Sequence, residues 1–311
     1  MKKLKLAVIG KDVSKSSSPS MHTFIANKLG RDIEYANISI APEEFSSRAE
    51  SLFCEYDGFN VTIPFKLDII PYLSSLEGDA QAFGAVNTVI SSTRKGYNTD
   101  GLGFMLMLEN SGVEVAGKSV LLLGAGGAGR SAAKKLAEAG AEVFVYDRNT
   151  EAANNVAAEF AGVTAISEVK EVPYDIIINA TGVGMHKTEG ISPVGEGLIS
   201  LCKTAVDLIY VPPKSKFLCL AEGLGKKIVN GMSMLFYQAY FAECIYHGIQ
   251  PDKDTAKALF TEYEKCKGGI YETFIHQRRK PQYDGQARAW RLRHADPRRN
   301  KCRNSRPFQG R

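Results

Sequence analysis

Along the first hundred residues, short apolar runs alternate with segments whose apolar positions recur at helical spacing. LKLAVIG (4–10) has the length and continuity of a buried strand, while PSMHTFIANKLG (19–30) has the helical period and ends at Gly30, a residue suited to the left-handed position after a helix. YANISI (35–40) predicts a second strand, and PEEFSSRAESLFCE (42–55) a helix with Pro42 in its first turn. GFNVTI (58–63) alternates polar and apolar positions, predicting a third strand with one wet face that Pro64 ends; AVNTVIS (85–91) predicts a further strand. The rhythm continues with a helix at GLGFMLMLENSG (101–112), then VLLLG, an alanine-rich helix ending at Gly140, and AEVFVYD, which together make a βαβ unit. YDIIINAT and TAVDLIY predict later strands, and two helices, 232–248 and 252–268, close the pattern. Strand and helix alternating in this way predict an α/β fold with mainly parallel sheets. No solenoid-length repeat interrupts it.

The 311 residues suffice for two domains at roughly 100–200 residues each. With 44% apolar and 23% charged residues the composition is that of a soluble globular protein, and no apolar run reaches the roughly 18 residues of a membrane span. The charged start before LAVIG reads as the lead into a buried strand and not as a signal peptide. The net charge of +5 is unevenly placed: from Gln277 to Arg311 twelve Lys/Arg face two Asp/Glu, leaving 27 against 32 elsewhere. That basic segment lacks apolar periodicity and is expected to be disordered, and a nucleic-acid role is disfavoured because no binding module accompanies the charge. Six cysteines, scattered without a CxxC pair or a His at metal spacing, point to a reduced, cytoplasmic protein without a metal site.

Candidate chemistry concentrates in four places. Gly124-Ala125-Gly126-Gly127-Ala128-Gly129 fits GxGxxG between a predicted strand and helix, with Asp147 at the end of the next strand. There Gly124 would permit the tight turn, Gly126 would admit a pyrophosphate, and Gly129 would let helix and strand pack closely. Asp147 favours the ribose hydroxyl of NAD, whereas Arg148 beside it favours the 2′-phosphate of NADP. Near the N-terminus, Ser16 and Ser18 precede Pro19; Ser18 is the expected N-cap, and the paired hydroxyls could take a carboxylate. Lys66 follows Pro64, read as a first-turn proline, so a helix N-terminus is expected to depress the lysine pKa and suit it to proton exchange. Asp100 stands before the 101–112 helix, either as its cap or facing a cleft.

Taken in order, SSSPSMH, NVTIPFK, GAVNTV, NTDG, GAGGAGR, NATGVGM, DLIYVPP and GMSMLFYQA resemble the motifs of the shikimate dehydrogenase family over about residues 5–270. The resemblance implies reversible reduction of 3-dehydroshikimate to shikimate with a nicotinamide cofactor, Lys66 and Asp100 being the catalytic pair. It further implies that Ser16 and Ser18, helped by Tyr210, bind the substrate carboxylate, that Asn60 projects toward the substrate from the strand face it shares with Thr62, and that Thr62, Asn87, Asp100 and Gln238 hold ring hydroxyls. Gly124 to Ala128, Arg148, Leu208 and Gly231 are then expected at the cofactor, with Thr181 and Met185 near the nicotinamide. Lys15, Asp147 and Val211 depart from the family pattern; Asp147 leaves NAD use open although NADP is favoured.

The implied division is a substrate domain at 1–100 plus 233–272, a Rossmann domain at 101–232 and a tail at 273–311, with the active site in the cleft between the domains. A homodimer is compatible with this reading. The alternatives are a quinate/shikimate dehydrogenase using NAD(H) and a non-catalytic ligand-sensing module, the second disfavoured by an intact Lys66 and Asp100.

Overall fold

The computed structural model describes residues 2–278. Six strands, β1 (Leu4–Gly10), β2 (Ile33–Ser39), β3 (Gly58–Val61), β4 (Ser75–Leu76), β5 (Thr88–Ile90) and β6 (Lys95–Tyr97), form the first sheet in the order β2-β1-β3-β5-β6-β4. Leu6, Ala7, Val8 and Ile9 are all buried, as a central strand covered on both faces requires. The sheet is mixed: β2 and β3 run parallel to β1 and β4 runs parallel to β6, whereas β5 is antiparallel to both of its neighbours, β3 and β6. Helices α1 (Ser18–Lys28), α2 (Phe45–Glu55) and α3 (Asp79–Phe83) accompany it.

Three local expectations are corrected here. Ser17 is the N-cap of α1 and Ser18 its first residue, so the Ser18 hydroxyl is not spent on capping. No helix follows Pro64: residues 63–69 form successive turns, because the Lys66 carbonyl that a helix would give to Ile70 accepts instead from the Val86 N–H at 2.9 Å. The helix-dipole reasoning for Lys66 therefore does not apply. Finally, β3 has no wet face; all four of its residues are buried, while Ile63 beyond its end is 77% exposed.

The second sheet contains β7 (Ser119–Leu123), β8 (Glu142–Tyr146), β9 (Val163–Ala165), β10 (Ile176–Asn179), β11 (Thr204–Asp207) and β12 (Lys227–Asn230). All its pairings are parallel, in the order β12-β11-β10-β7-β8-β9. Read from β7 this is 3-2-1-4-5-6, the doubly wound order of dinucleotide-binding sheets, and the direction of winding reverses between β7 and β10. Its helices are α4 (Asp100–Asn110), leading in, then α5 (Gly127–Glu138), α6 (Thr150–Glu159), α7 (Glu196–Ser200) and α8 (Lys216–Gly223).

The chain then returns through α9 (Met232–His247), which packs on α1 and α4, and α10 (Lys253–Arg278). A methyl group on Gly103 would stand 2.7 Å from the Gln238 N–H nitrogen, so the absence of a side chain there lets α4 and α9 meet backbone to backbone. Residues through Thr261 form one compact unit, and a second begins at Glu262. Because α10 runs through Arg278 it crosses the expected tail boundary at 273, and the rest of the tail lies outside the described residues. Among the described residues no helix is long and apolar enough to cross a membrane, and no cluster of His, Cys, Asp or Glu is placed to hold a metal ion.

Candidate active site

A cavity of about 280 Å³ opens at the C-terminal ends of β1 and β3, facing the Gly-rich turn after β7. Turn residues 62–66 carry Lys66 to its edge, and the start of α4 carries Asp100. The Lys66 Nζ donates to Asp100 Oδ2 at 2.5 Å, and both side chains are largely buried. Asp100 is the first residue of α4 behind the N-cap Thr99, so its carboxylate is not a cap; Oδ1 accepts instead from Asn87 Nδ2 at 2.9 Å. Asn87 is fixed in turn because its Oδ1 accepts from the Thr99 N–H (3.0 Å) and the Thr88 hydroxyl (2.9 Å). The amide is 3% exposed, so its fixed orientation is set by these internal bonds. Gln238 on α9 brings Oε1 within 3.4 Å of Asn87 Nδ2.

The opposite wall comes from the segment leading into α1. Ser16 Oγ donates to Ser18 Oγ at 2.9 Å and accepts from the Ser18 N–H at 3.2 Å, so two hydroxyls are presented side by side. Thr62 and Tyr210 also line the cavity. Asn60 lines it as well, but its side chain is largely consumed within the protein. Its amide donates to the Asn87 carbonyl and the Thr88 hydroxyl, each at 3.0 Å, and accepts from Tyr35 Oη at 2.7 Å. That internal pairing explains how a polar residue at a predicted wet position is buried. It leaves Asn60 one acceptor lone pair and no amide hydrogen for a ligand.

The glycines match the geometry of a nucleotide turn. Gly124 has φ +102°, a methyl on Gly129 would fall 2.0 Å from the Gly124 carbonyl oxygen, and one on Gly126 or Gly127 would meet nothing within 4 Å. The last two positions form an exposed cradle at the N-terminus of a twelve-residue helix, whose free N–H groups suit an anion. Asp147 turns both oxygens onto backbone N–H groups, those of Ala125 and Asn149, each at 2.8 Å. Arg148 forms no ion pair among the described residues. These residues fit a dinucleotide, and Arg148 follows Asp147 directly after the end of β8.

At the end of β10 and β11, Thr181 is held through Asn179 Oδ1, which accepts from its hydroxyl at 2.6 Å, and Asn179 Nδ2 donates to Asp207 at 3.0 Å. Burial pushes the Asp207 carboxyl up to about 6, against hydrogen bonds from Ser215, the Ile209 N–H and Asn179. Gly231 is required because a methyl there would strike the Leu208 carbonyl oxygen at 2.1 Å. Ala128, Leu208 and Gly231 reach the cavity, whereas Ala125, Asp147, Arg148, Thr181 and Met185 do not line it. The sequence reading missed Val8, His22, Val61, Met234 and Leu235 among the lining residues. A signal for His22 existed: it follows Ser18 by four positions and so shares its helix face.

Hydride exchange with a carbonyl requires a nicotinamide at the strand ends and a proton donor at the oxygen, and this cavity joins the two requirements. The class so defined is the NAD(P)-dependent oxidoreductases acting on a CH–OH group. Residues 8–89 match the shikimate dehydrogenase substrate binding domain and residues 107–187 match shikimate / quinate 5-dehydrogenase, and the chain belongs to the shikimate dehydrogenase family. It is 40% identical over 258 residues to the shikimate dehydrogenase (NADP(+)) of Caldicellulosiruptor saccharolyticus, covering 79% of this chain and 92% of the relative. Among solved structures it resembles shikimate dehydrogenase 1 from Peptoclostridium difficile, with a TM-score of 0.76 at 31% identity over 84% of this chain and 97% of that one. The Thermus thermophilus enzyme, solved in complex with NADP(H) and shikimate, gives 0.73 at 34% identity, covering 82% and 98%.

Proposed function

We propose that the protein catalyses the reversible, NADPH-dependent reduction of 3-dehydroshikimate to shikimate, a step of chorismate and aromatic amino acid biosynthesis. The observation that carries this reading is the Lys66–Asp100 pair at 2.5 Å, set between the Ser16/Ser18 wall and Ala128 of the Gly-rich turn. A bound nicotinamide supplies or accepts the hydride. Lys66 then meets the negative charge growing on the substrate oxygen and delivers a proton from Nζ. Asp100 aims that ammonium and, with Thr62, Asn87 and Gln238, takes ring hydroxyls; Ser16, Ser18 and Tyr210 take the carboxylate. The Asn60 side chain, being committed inward, supports this wall and offers the substrate at most its remaining oxygen lone pair.

NADP is the preferred cofactor in this reading. Asp147 is engaged by the Gly-rich turn, Arg148 forms no ion pair among the described residues, and the Caldicellulosiruptor saccharolyticus relative carries NADP in its name and the Thermus thermophilus enzyme was solved with NADP(H) bound. We assign 1–100 with 233–272 to the substrate domain and 101–232 to the cofactor domain, supported by the confinement of the first sheet to residues 4–97 and of the second to 119–230. A cytoplasmic location agrees with five free thiols among the described residues, and sedimentation decides whether the enzyme is a homodimer. The functional test is nicotinamide reduction with shikimate or quinate, each with NADP or NAD. Turnover should be fastest with shikimate and NADP and collapse in Lys66→Ala; efficient quinate turnover with NAD would instead identify a quinate/shikimate enzyme, and silence from folded protein would leave a ligand-sensing module.

A further inference from the structure

We propose that His22 is a further substrate-binding residue, donating from Nε2 to the substrate carboxylate beside Ser18, and that the buried Glu243 is the positioning residue that holds its ring and its charge. The inference rests on the reading of the substrate as a carboxylate-bearing cyclic polyol.

Helix geometry brings His22 into line, since it lies one turn beyond Ser18 on α1. The residue is 1% exposed, yet its ring lines the cavity. Nδ1 is 2.7 Å from Glu243 Oε1. Nε2 has no hydrogen-bond partner among the described residues, and it is not sealed from solvent as the unpaired Tyr246 hydroxyl is. A polar atom so placed meets the cavity. The ring cannot easily turn away, because it stacks on Tyr35 with centroids 4.4 Å apart and Tyr35 is itself tied to Asn60.

The charge follows from what surrounds Glu243. That carboxylate is fully buried, and its hydrogen-bond partners are two imidazoles, His22 at 2.7 Å and His247 Nε2 at 3.1 Å. Burial alone would raise the carboxyl, but the bonds to His22 and His247 outweigh it and hold it below the usual carboxylate range. Tyr35, Tyr246 and Cys244, the other titratable groups that feel its charge, are kept neutral by burial and by the Glu243 charge. A buried anion requires a counter-charge, and the closer imidazole is His22. With Nδ1–H held by the carboxylate, the imidazolium presents Nε2–H to the cavity. Elsewhere on the lining the Lys66 charge is matched by Asp100, so His22 supplies the positive charge that an anionic substrate requires.

The test begins with the wild-type protein carrying ¹⁵N-labelled histidine, titrated with shikimate. One imidazole resonance should shift on saturation and be absent from His22→Gln; a titration that moves no imidazole overturns the proposal. Kinetics give the second readout. In His22→Phe, which keeps the stacking on Tyr35, and in Glu243→Gln, KM for shikimate should rise about tenfold, the loss of one charge-assisted hydrogen bond, while KM for NADP stays put. A fall in kcat with KM for shikimate unchanged also overturns it. Wild-type protein that turns over no shikimate would refute the functional reading itself, a result distinct from either.

Discussion

Lys66 and Asp100 lie 34 positions apart in the chain, yet Nζ of the one is 2.5 Å from Oδ2 of the other, and Asn87 holds the second carboxylate oxygen at 2.9 Å. The ammonium is thus aimed by a carboxylate that cannot swing, which is the preorganisation that the proposed proton delivery requires.

Lys66→Ala should lower kcat by about 10²–10⁴-fold, the usual yield of a positioned proton donor, with little change in melting temperature. Asp100→Asn should lower it by about 10–100-fold, since a charged hydrogen bond is exchanged for a neutral one. Steady-state rates beside thermal melts check both, and equal loss of rate and fold would assign the pair a structural role instead.

Two glycines of one turn should behave differently. Gly129→Ala places a methyl 2.0 Å from the Gly124 carbonyl, so strand and helix must separate and stability should fall by about 1–3 kcal/mol. Gly126→Ala meets no protein atom within 4 Å; its melting temperature should hold while KM for the cofactor rises. Denaturation and cofactor titration on both variants measure the contrast.

Cofactor choice should rest on Arg148. Arg148→Ala should weaken NADP by about 10–100-fold through loss of a charged bond to phosphate, leaving NAD nearly unchanged. Equal weakening of both cofactors would show that the guanidinium does not read the 2′-phosphate.

Two buried carboxylates should shape the pH dependence of stability in opposite senses. The Asp207 carboxyl is raised from 3.8 to about 6 in the fold, so the folded state binds its proton more tightly than the unfolded chain. Its contribution is complete below about pH 4 and is lost as pH rises through about 6, amounting to about 3 kcal/mol. Asp207→Asn should flatten that fall, because the amide can keep Oδ1 on Ile209 and Asn179 and donate to Ser215. Glu243, lowered in the fold, contributes above its ordinary value and loses that contribution as pH falls below about 4.5. Urea denaturation from pH 3 to 8 on wild type, Asp207→Asn and Glu243→Gln separates the two.

The elements most legible in the sequence were those whose signal is local. β1, β7 and β10 are apolar runs because both faces are covered, and the Gly124–Gly129 spacing reports a backbone demand that one turn imposes by itself. Pro64 misled because a proline looks alike at the start of a helix and in a tight turn; the carbonyl of Lys66 was claimed by Val86, twenty positions away. Ser18 was displaced from the cap by a single residue, a boundary that proline at the first or second helical position leaves open. His22 escaped notice because its partner Glu243 lies 221 positions along the chain.

Neighbours within a few residues fixed the alternation of strand and helix and the glycine turn after β7, and marked Lys66 and Asp100 as candidates for proton exchange. The tertiary structure alone decided that the first sheet is mixed, that the Asn60 amide is committed inward, and that α9 brings Glu243 and Gln238 against α1 and α4. Such pairings are fixed by which buried faces fit together and by which distant groups satisfy a buried polar atom, and local sequence carries no record of either.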